Sequence, residues 1–250
     1  MTVLVTGAAG RIGTAFAAHA AGRYDLRLAD LSGTETLLDV TDLDACRAAC
    51  EGVDAVVHLA GDASPEADFA QSLLPVNIAG TYNLFRAAAD AGVRRVVYAS
   101  SAQAVEGYPL DVQVREGMPP RPGNLYGVSK AFGEVLAAYF AAREGLEAVA
   151  VRIGAFERAE DWRRLDARDL SAWAAPDDLC ALLVRCLEAD LGPSGFAVAH
   201  GISDNRFKRL SLEATKARLG YAPEADAFDV WGEGFAEASE RRDGPGPSER

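Results

Sequence analysis

The sequence predicts an α/β fold built on a doubly wound parallel sheet, and three observations carry that reading. Short continuous apolar runs, Val3-Leu4-Val5-Thr6, Ala55-Val56-Val57-His58-Leu59 and Arg95-Val96-Val97-Tyr98-Ala99, have the length of strands buried on both faces. Ala-rich stretches with helical periodicity lie between such runs, two of them ending near Gly22 and Gly92. The first strand runs straight into Gly7-Ala8-Ala9-Gly10-Arg11-Ile12-Gly13 and then a helix, a junction suited to holding phosphate.

Composition bounds the rest. The chain has 250 residues, 49% of them hydrophobic, enough for one sizeable domain with a core and a small appendage. A net charge of -12 repels a nucleic-acid backbone and an anionic membrane at long range, so neither is an expected partner. Charges interrupt every apolar run before membrane-spanning length, and no basic segment opens a signal peptide, which predicts a cytoplasmic protein. Cys46, Cys50, Cys180 and Cys186 form no C-x-x-C, and His19, His58 and His200 are scattered. No metal site is expected, and the cysteines read as small buried apolar groups.

Element by element, Gly7 permits the sharp bend, Gly10 lets the backbone approach a pyrophosphate, and Gly13 lets the helix pack on the strand. The helix start at Arg11 and Ile12 offers free N–H groups to an anion. A second run, Leu26 to Ala29, delivers Asp30, whose carboxylate accepts ribose hydroxyls and repels a 2′-phosphate, so the cofactor reads as NAD. A third strand, Thr36 to Leu38, ends at Asp39-Val40, where Asp39 is placed to meet an adenine amino group, and Asp42 caps a helix from Leu43 to Cys50. The fourth strand closes at Leu59-Ala60-Gly61, small enough for backbone to lie against the cofactor, and Ser64 in the next loop offers a hydroxyl to a substrate.

A helix is predicted from Val76 to Ala91 with Asn77 in its first turn, as a cap or backbone clamp. The fifth strand hands over to Ser100-Ser101, and residues 102 to 125, rich in Pro and Gly, read as an active-site loop. A helix with Tyr126 and Lys130 at its head follows, then a sixth strand from Glu147 that reaches Arg152-Ile153-Gly154. Residues 1–154 therefore read as the nucleotide-binding region and 155–235 as a small substrate cap packed on it. In that cap a helix is expected from Asp177 to Ala189, with Asp177 and Asp178 as N-terminal charges, and a strand from Phe196 to Ala199. Residues 236–250 read as a loose tail.

Tyr126 and Lys130 are four residues apart, so their side chains share one helix face. A free phenol, with a pKa of about 10, is too weak a base at neutral pH, and a nearby ammonium favours the phenolate. Tyr126 can then take a hydroxyl proton while hydride leaves the same carbon, with Ser101 holding the reacting oxygen. Only three lysines occur, so a Tyr followed four later by Lys is expected by chance about 0.1 times.

Together Thr6 to Gly13, Asp30, Asp39-Val40, His58 to Gly61, Asn77, Ser100-Ser101 and Tyr126-Gly-Val-Ser-Lys130 resemble the extended short-chain dehydrogenase/reductases of the NAD-dependent epimerase/dehydratase group. Within it, Arg121 to Lys130, Val151 to Gly154, Asp161 to Leu165 and Ser171 to Trp173 followed by Asp177-Asp178 are similar to uronate dehydrogenases. The resemblance implies a Rossmann-like fold and oxidation of the anomeric carbon of a hexuronic acid to an aldarolactone. It implies cofactor contacts from Gly7, Gly10, Arg11, Ile12, Gly13, Asp30, Asp39, Val40, Leu59, Ala60, Gly61, Asn77, Tyr126, Lys130 and Ile153. Ser64, Ser101, Gln103, Tyr126 and Arg163 would meet the substrate, Arg163 gripping its carboxylate, and the helices near 76–91 and 126–143 would join copies into a homo-oligomer. Ala102, Gln103 and Ala155 depart from the uronate dehydrogenase pattern. A nucleotide-sugar epimerase or dehydratase with retained NAD is the alternative, opposed by the short segment after Gly154; a non-catalytic NAD sensor is another, opposed by the intact Ser/Tyr/Lys set.

Overall fold

The computed structural model describes residues 1–158 and 167–231, so Arg163 and the tail expected from 236 lie outside the described residues. The main sheet is built from β1 (Thr2–Thr6), β2 (Asp25–Asp30), β3 (Thr36–Leu37), β4 (Ala55–His58), β5 (Arg95–Ser101) and β6 (Glu147–Ile153), together with a strand at Phe196–Gly201. Two short strands, β7 (Ala155–Phe156) and β8 (Trp173–Ala174), pair separately, which makes the Phe196–Gly201 strand β9. The main sheet runs in the order β3-β2-β1-β4-β5-β6-β9, and every pairing is parallel. The chain winds outward from β1 to β3, returns, and winds the other way from β4. That reversal opens a crevice at the carboxyl ends of β1 and β4.

Strand alternation divides the core in two. Val3, Val5, Val57 and Val97 point to the layer that holds α1 (Arg11–His19), while Leu4, Val56 and Val96 point to the layer with α2 (Leu43–Cys50), α3 (Thr81–Asp90) and α4 (Leu125–Glu144). After α5 (Ala167–Ser171), helix α6 (Pro176–Glu188) packs beside α1, and α7 (Glu213–Leu219) follows β9. All four cysteines are buried and unpaired in disulfides. No helix among the described residues is long and apolar enough to cross a membrane.

The structure differs from the sequence reading in three places. The helix expected from Val76 starts at Phe69, as a π-helical stretch to Gly80 capped by Asp68, so Asn77 lies deep inside a helix rather than in its first turn. Pro75 sits within that stretch, and the wider turns accommodate its missing N–H. Beyond Gly154 the chain is not confined to a separate appendage: β9 is the seventh strand of the main sheet, in register with β6 from Ala148 to Ile153. Asp178 is more than a helix-terminal charge, because it is buried and accepts the backbone N–H groups of Glu224 and Ala225 at 3.0 and 3.1 Å, which fastens the C-terminal segment.

Candidate active site

Two of the three loop glycines answer to packing. Gly7 has φ +68°, and a side chain there would put Cβ 2.6 Å from the Ala60 nitrogen; at Gly13, Cβ would lie 2.4 Å from the Gly7 oxygen. Gly10 precedes α1 without a side-chain cap, so the first N–H groups of that helix are left to the crevice. Asp30 stands at the end of β2 with Oδ2 accepting from Ala9 N at 2.9 Å and Oδ1 from Leu31 N at 2.7 Å. It lines a cavity of about 520 Å³ with Asp39, Val40, Leu59, Ala60 and Gly61. Asp39 Oδ1 accepts from both the N–H and hydroxyl of Thr41, at 2.9 and 2.7 Å.

A second cavity of about 410 Å³ shares Gly7, Gly10, Leu59 and Gly61 with the first, so the two form one crevice along the sheet's rim. Arg11, Ile12, Ser101, Gln103, Tyr126, Lys130 and Ile153 line it. Ser64 does not join them: its hydroxyl lies against Glu66, at 3.3 Å from Oε2, while its neighbours Ala63 and Pro65 line the wall. Arg11 lines the crevice with its guanidinium held by Glu157, Nη1 lying 2.9 Å from Oε1, and 5.8 Å from the ring centroid of Phe156, another lining residue. Asn77 is a buried clamp, donating to Asp62 O at 2.9 Å and Ser129 Oγ at 3.1 Å and accepting from Asp62 N at 2.8 Å. It therefore holds the turn after Gly61 against α4.

Ser101 ends β5 and caps the 3₁₀ turn Ala102–Val105, its Oγ accepting from Gln103 N at 3.2 Å. Asn124 caps α4 through Gly127 N at 2.7 Å and donates its amide to Gln103 Oε1 at 3.1 Å. Gly127 is required by this junction, because a Cβ there would fall 2.3 Å from the Gln103 carbonyl oxygen. The Lys130 ammonium is buried, donates to Ala99 O at 3.0 Å and lies 5.8 Å from the Tyr126 ring centroid. Burial lowers its pKa to about 8.

Tyr126 behaves differently from the expectation that Lys130 makes it acidic. Burial raises the phenol above its ordinary value; hydrogen bonding with Ser101 acts in the opposite sense, and the Asp62 carboxylate adds to the rise. The ammonium is spent on a carbonyl, which leaves desolvation to dominate.

The Lys130 shift has a measurable consequence for stability. Between about pH 8 and the lysine's ordinary 10.5 the unfolded chain holds a proton that the native state has released, so this group makes stability rise with pH across that window. Denaturant unfolding of wild type and Lys130→Met should therefore show the difference wild type minus variant growing more favourable to wild type from pH 8 to 10.5. A flat difference would contradict the burial of the charge.

His58 was expected to be a packed strand residue, and it is: buried, with Nδ1 2.8 Å from Thr6 Oγ1, its pKa lowered to about 3 by burial first and the Lys130 charge second. Phe156, Ala63 and Pro65 also line the crevice, and nothing in their residue types marked them.

A model of the NAD dependent epimerase/dehydratase family matches residues 3–175. The chain is 37% identical to an NAD-dependent glucose-6-phosphate dehydrogenase of Haloferax volcanii, over 93% of this chain and 96% of that one. It is 34% identical to a uronate dehydrogenase of Pseudomonas syringae pv. tomato, over 92% of this chain and 83% of that one. Among solved structures, a mutant uronate dehydrogenase from Agrobacterium tumefaciens complexed with NAD superposes with a TM-score of 0.84 at 33% identity, covering 99% of this chain and 92% of that one. With a Rossmann-like sheet, a glycine-rich turn against an uncapped helix, and a crevice reaching from Asp30 to Tyr126, the chain belongs to the NAD-dependent epimerase/dehydratase family.

Proposed function

We propose that this protein oxidises a small sugar at its anomeric carbon with NAD as hydride acceptor, a hexuronic acid being the substrate and an aldarolactone the product. The observation that carries the reading is the convergence of Ser101, Tyr126 and Lys130 on a cavity continuous with the one beside Asp30. The similarity to dehydrogenases of uronates and of glucose 6-phosphate supports a sugar as the substrate and oxidation as the reaction. The glycine loop fits the cofactor's pyrophosphate, since α1 opens without a side-chain cap, and Asp30 is set for ribose hydroxyls. NAD, when bound, would supply the hydride acceptor.

In this reading Tyr126 accepts the anomeric hydroxyl proton as the carbon loses hydride, and Ser101 fixes the oxygen by a hydrogen bond. Lys130, on the same face of α4 and lining the same cavity as Tyr126, would offer its ammonium to a ribose hydroxyl of the cofactor. Arg163 grips the carboxylate, and Gln103 meets a sugar hydroxyl at the wall that Ser101 begins. Incubation with NAD and a panel of uronic acids, aldoses, aldose phosphates and polyols, followed by NADH absorbance, tests the reading. Turnover is expected with glucuronate or galacturonate, and Arg163→Ala should raise KM for acidic sugars only. Binding of NAD without turnover of any sugar would remove the assignment. We place the protein in the cytoplasm, and Tyr82, Val128, Val135 and Tyr139, exposed along α3 and α4, support a homo-oligomer.

A further inference from the structure

We propose that Glu134, acting through Ser100, is a positioning residue that aims Ser101 at Tyr126. The kinetic consequence rests on the function proposed above; the geometric one does not.

Tyr126, Lys130 and Glu134 follow one another at intervals of four along α4 and so share a face over about 12 Å of helix. Each meets one of the last three residues of β5. Tyr126 lines the same cavity as Ser101, Lys130 Nζ donates to Ala99 O at 3.0 Å, and Ser100 Oγ donates to Glu134 Oε1 at 2.6 Å. The first two contacts belong to the reacting groups. The third touches neither substrate nor cofactor in the proposed reaction, yet it is wholly buried.

Glu134 is itself fixed. Arg152, opposite Ser100 in the β5–β6 register, donates Nε to Oε1 at 2.9 Å and Nη2 to Oε2 at 2.8 Å. Both side chains are inaccessible, at 2% and 4% exposure. Arg152 Nη2 also donates to Met118 O at 3.2 Å, which ties in the loop between β5 and α4. One carboxylate thus keys a helix to two strands and, through the arginine, to a loop. A buried ion pair is a poor source of stability, since apolar side chains of similar volume do as well or better. What the pair supplies here is direction.

Consecutive strand residues project from opposite sides of the backbone, so holding the Ser100 side chain fixes the rotation of the strand about its own axis. Ser101 is the next residue and the strand's last. Its hydroxyl therefore inherits its aim from a contact on the other side of the chain. An error of about 0.5 Å in a reacting constellation is enough to matter.

Ser100→Ala tests this directly, because it removes one hydroxyl and leaves the Glu134–Arg152 pair whole. Crystal structures of variant and wild type should show the Ser101 Oγ to Tyr126 Oη separation changed by about 0.5 Å or more. The variant's kcat should fall about tenfold with Kd for NAD unchanged, and Ser100→Thr should restore it. Ser100→Cys, which keeps the volume but bonds weakly, should repeat the loss. A merely structural hydroxyl would lower the melting temperature alone; wild-type kcat in both variants, or an unaltered separation, overturns the proposal. If the wild-type protein oxidises no sugar, the functional reading fails while the two crystal structures still decide the positioning.

Discussion

Tyr126→Phe is expected to lower kcat by about 10²- to 10⁴-fold while leaving the affinity for NAD within about a factor of two. The substitution deletes one oxygen from a side chain that is 7% exposed, so neither packing nor the crevice's shape changes much. What it removes is the only phenol lining the crevice among the described residues. In the proposed reading the dinucleotide is held by the glycine loop and by Asp30, the latter in the neighbouring cavity that Tyr126 does not line, which is why binding and turnover should separate. Isothermal titration with NAD and steady-state kinetics measure the two quantities independently. The raised pKa of the phenol adds a second expectation. A base must be deprotonated to work, so kcat/KM, which reports groups of the free enzyme, should climb with pH into the alkaline range. A variant that keeps wild-type turnover would exclude Tyr126 as the base.

Glu134→Leu is expected to destabilise the protein by about 3–5 kcal/mol, because it strands the Arg152 guanidinium without a counter-charge in a dry interior. Against a total stability of about 5–15 kcal/mol that is a large fraction, and for a chain of this size it corresponds to roughly 6–20 °C in Tm. Arg152 has little to fall back on. Its Nη1 has no hydrogen-bond partner among the described residues, and the remaining bond to Met118 O is at 3.2 Å. The double variant Glu134→Leu/Arg152→Met removes both charges and should recover most of the lost stability. Calorimetry on the three proteins decides the matter: a double variant as unstable as the single one would mean that lost volume, not the stranded charge, is responsible. This is also why the positioning of Ser101 is better tested at Ser100 than at Glu134.

The sequence reading and the structure agree where local physics is sufficient. A buried parallel strand is a short apolar run, and a glycine-rich turn before a helix is constrained within a few residues, so β1, α1, β4, β5 and the placement of Asp30 were all legible. Tyr126 and Lys130 were legible for the same reason, since a spacing of four on a helix is a statement about one face. The boundary of the helix carrying Asn77 was not legible, because the helix runs back from Val76 through Pro75 to Phe69 as a stretch of widened turns. The role of Gly127 was hidden as well: the carbonyl that forbids a side chain there belongs to Gln103, 24 residues away.

By itself, then, the chain's order of residues determined the strands of the main sheet, the glycine-rich turn, the place of Asp30 at a strand end and the helix face that Tyr126 and Lys130 share. Each of these depends on neighbours within a helical turn or a strand. Only the tertiary structure decided that β9 extends the main sheet, that Arg11 pairs with Glu157, that Ser64 turns from the crevice, and that Lys130 is buried against Ala99. It also reversed the direction of the Tyr126 shift, because desolvation depends on everything packed around a group and no spacing rule contains that.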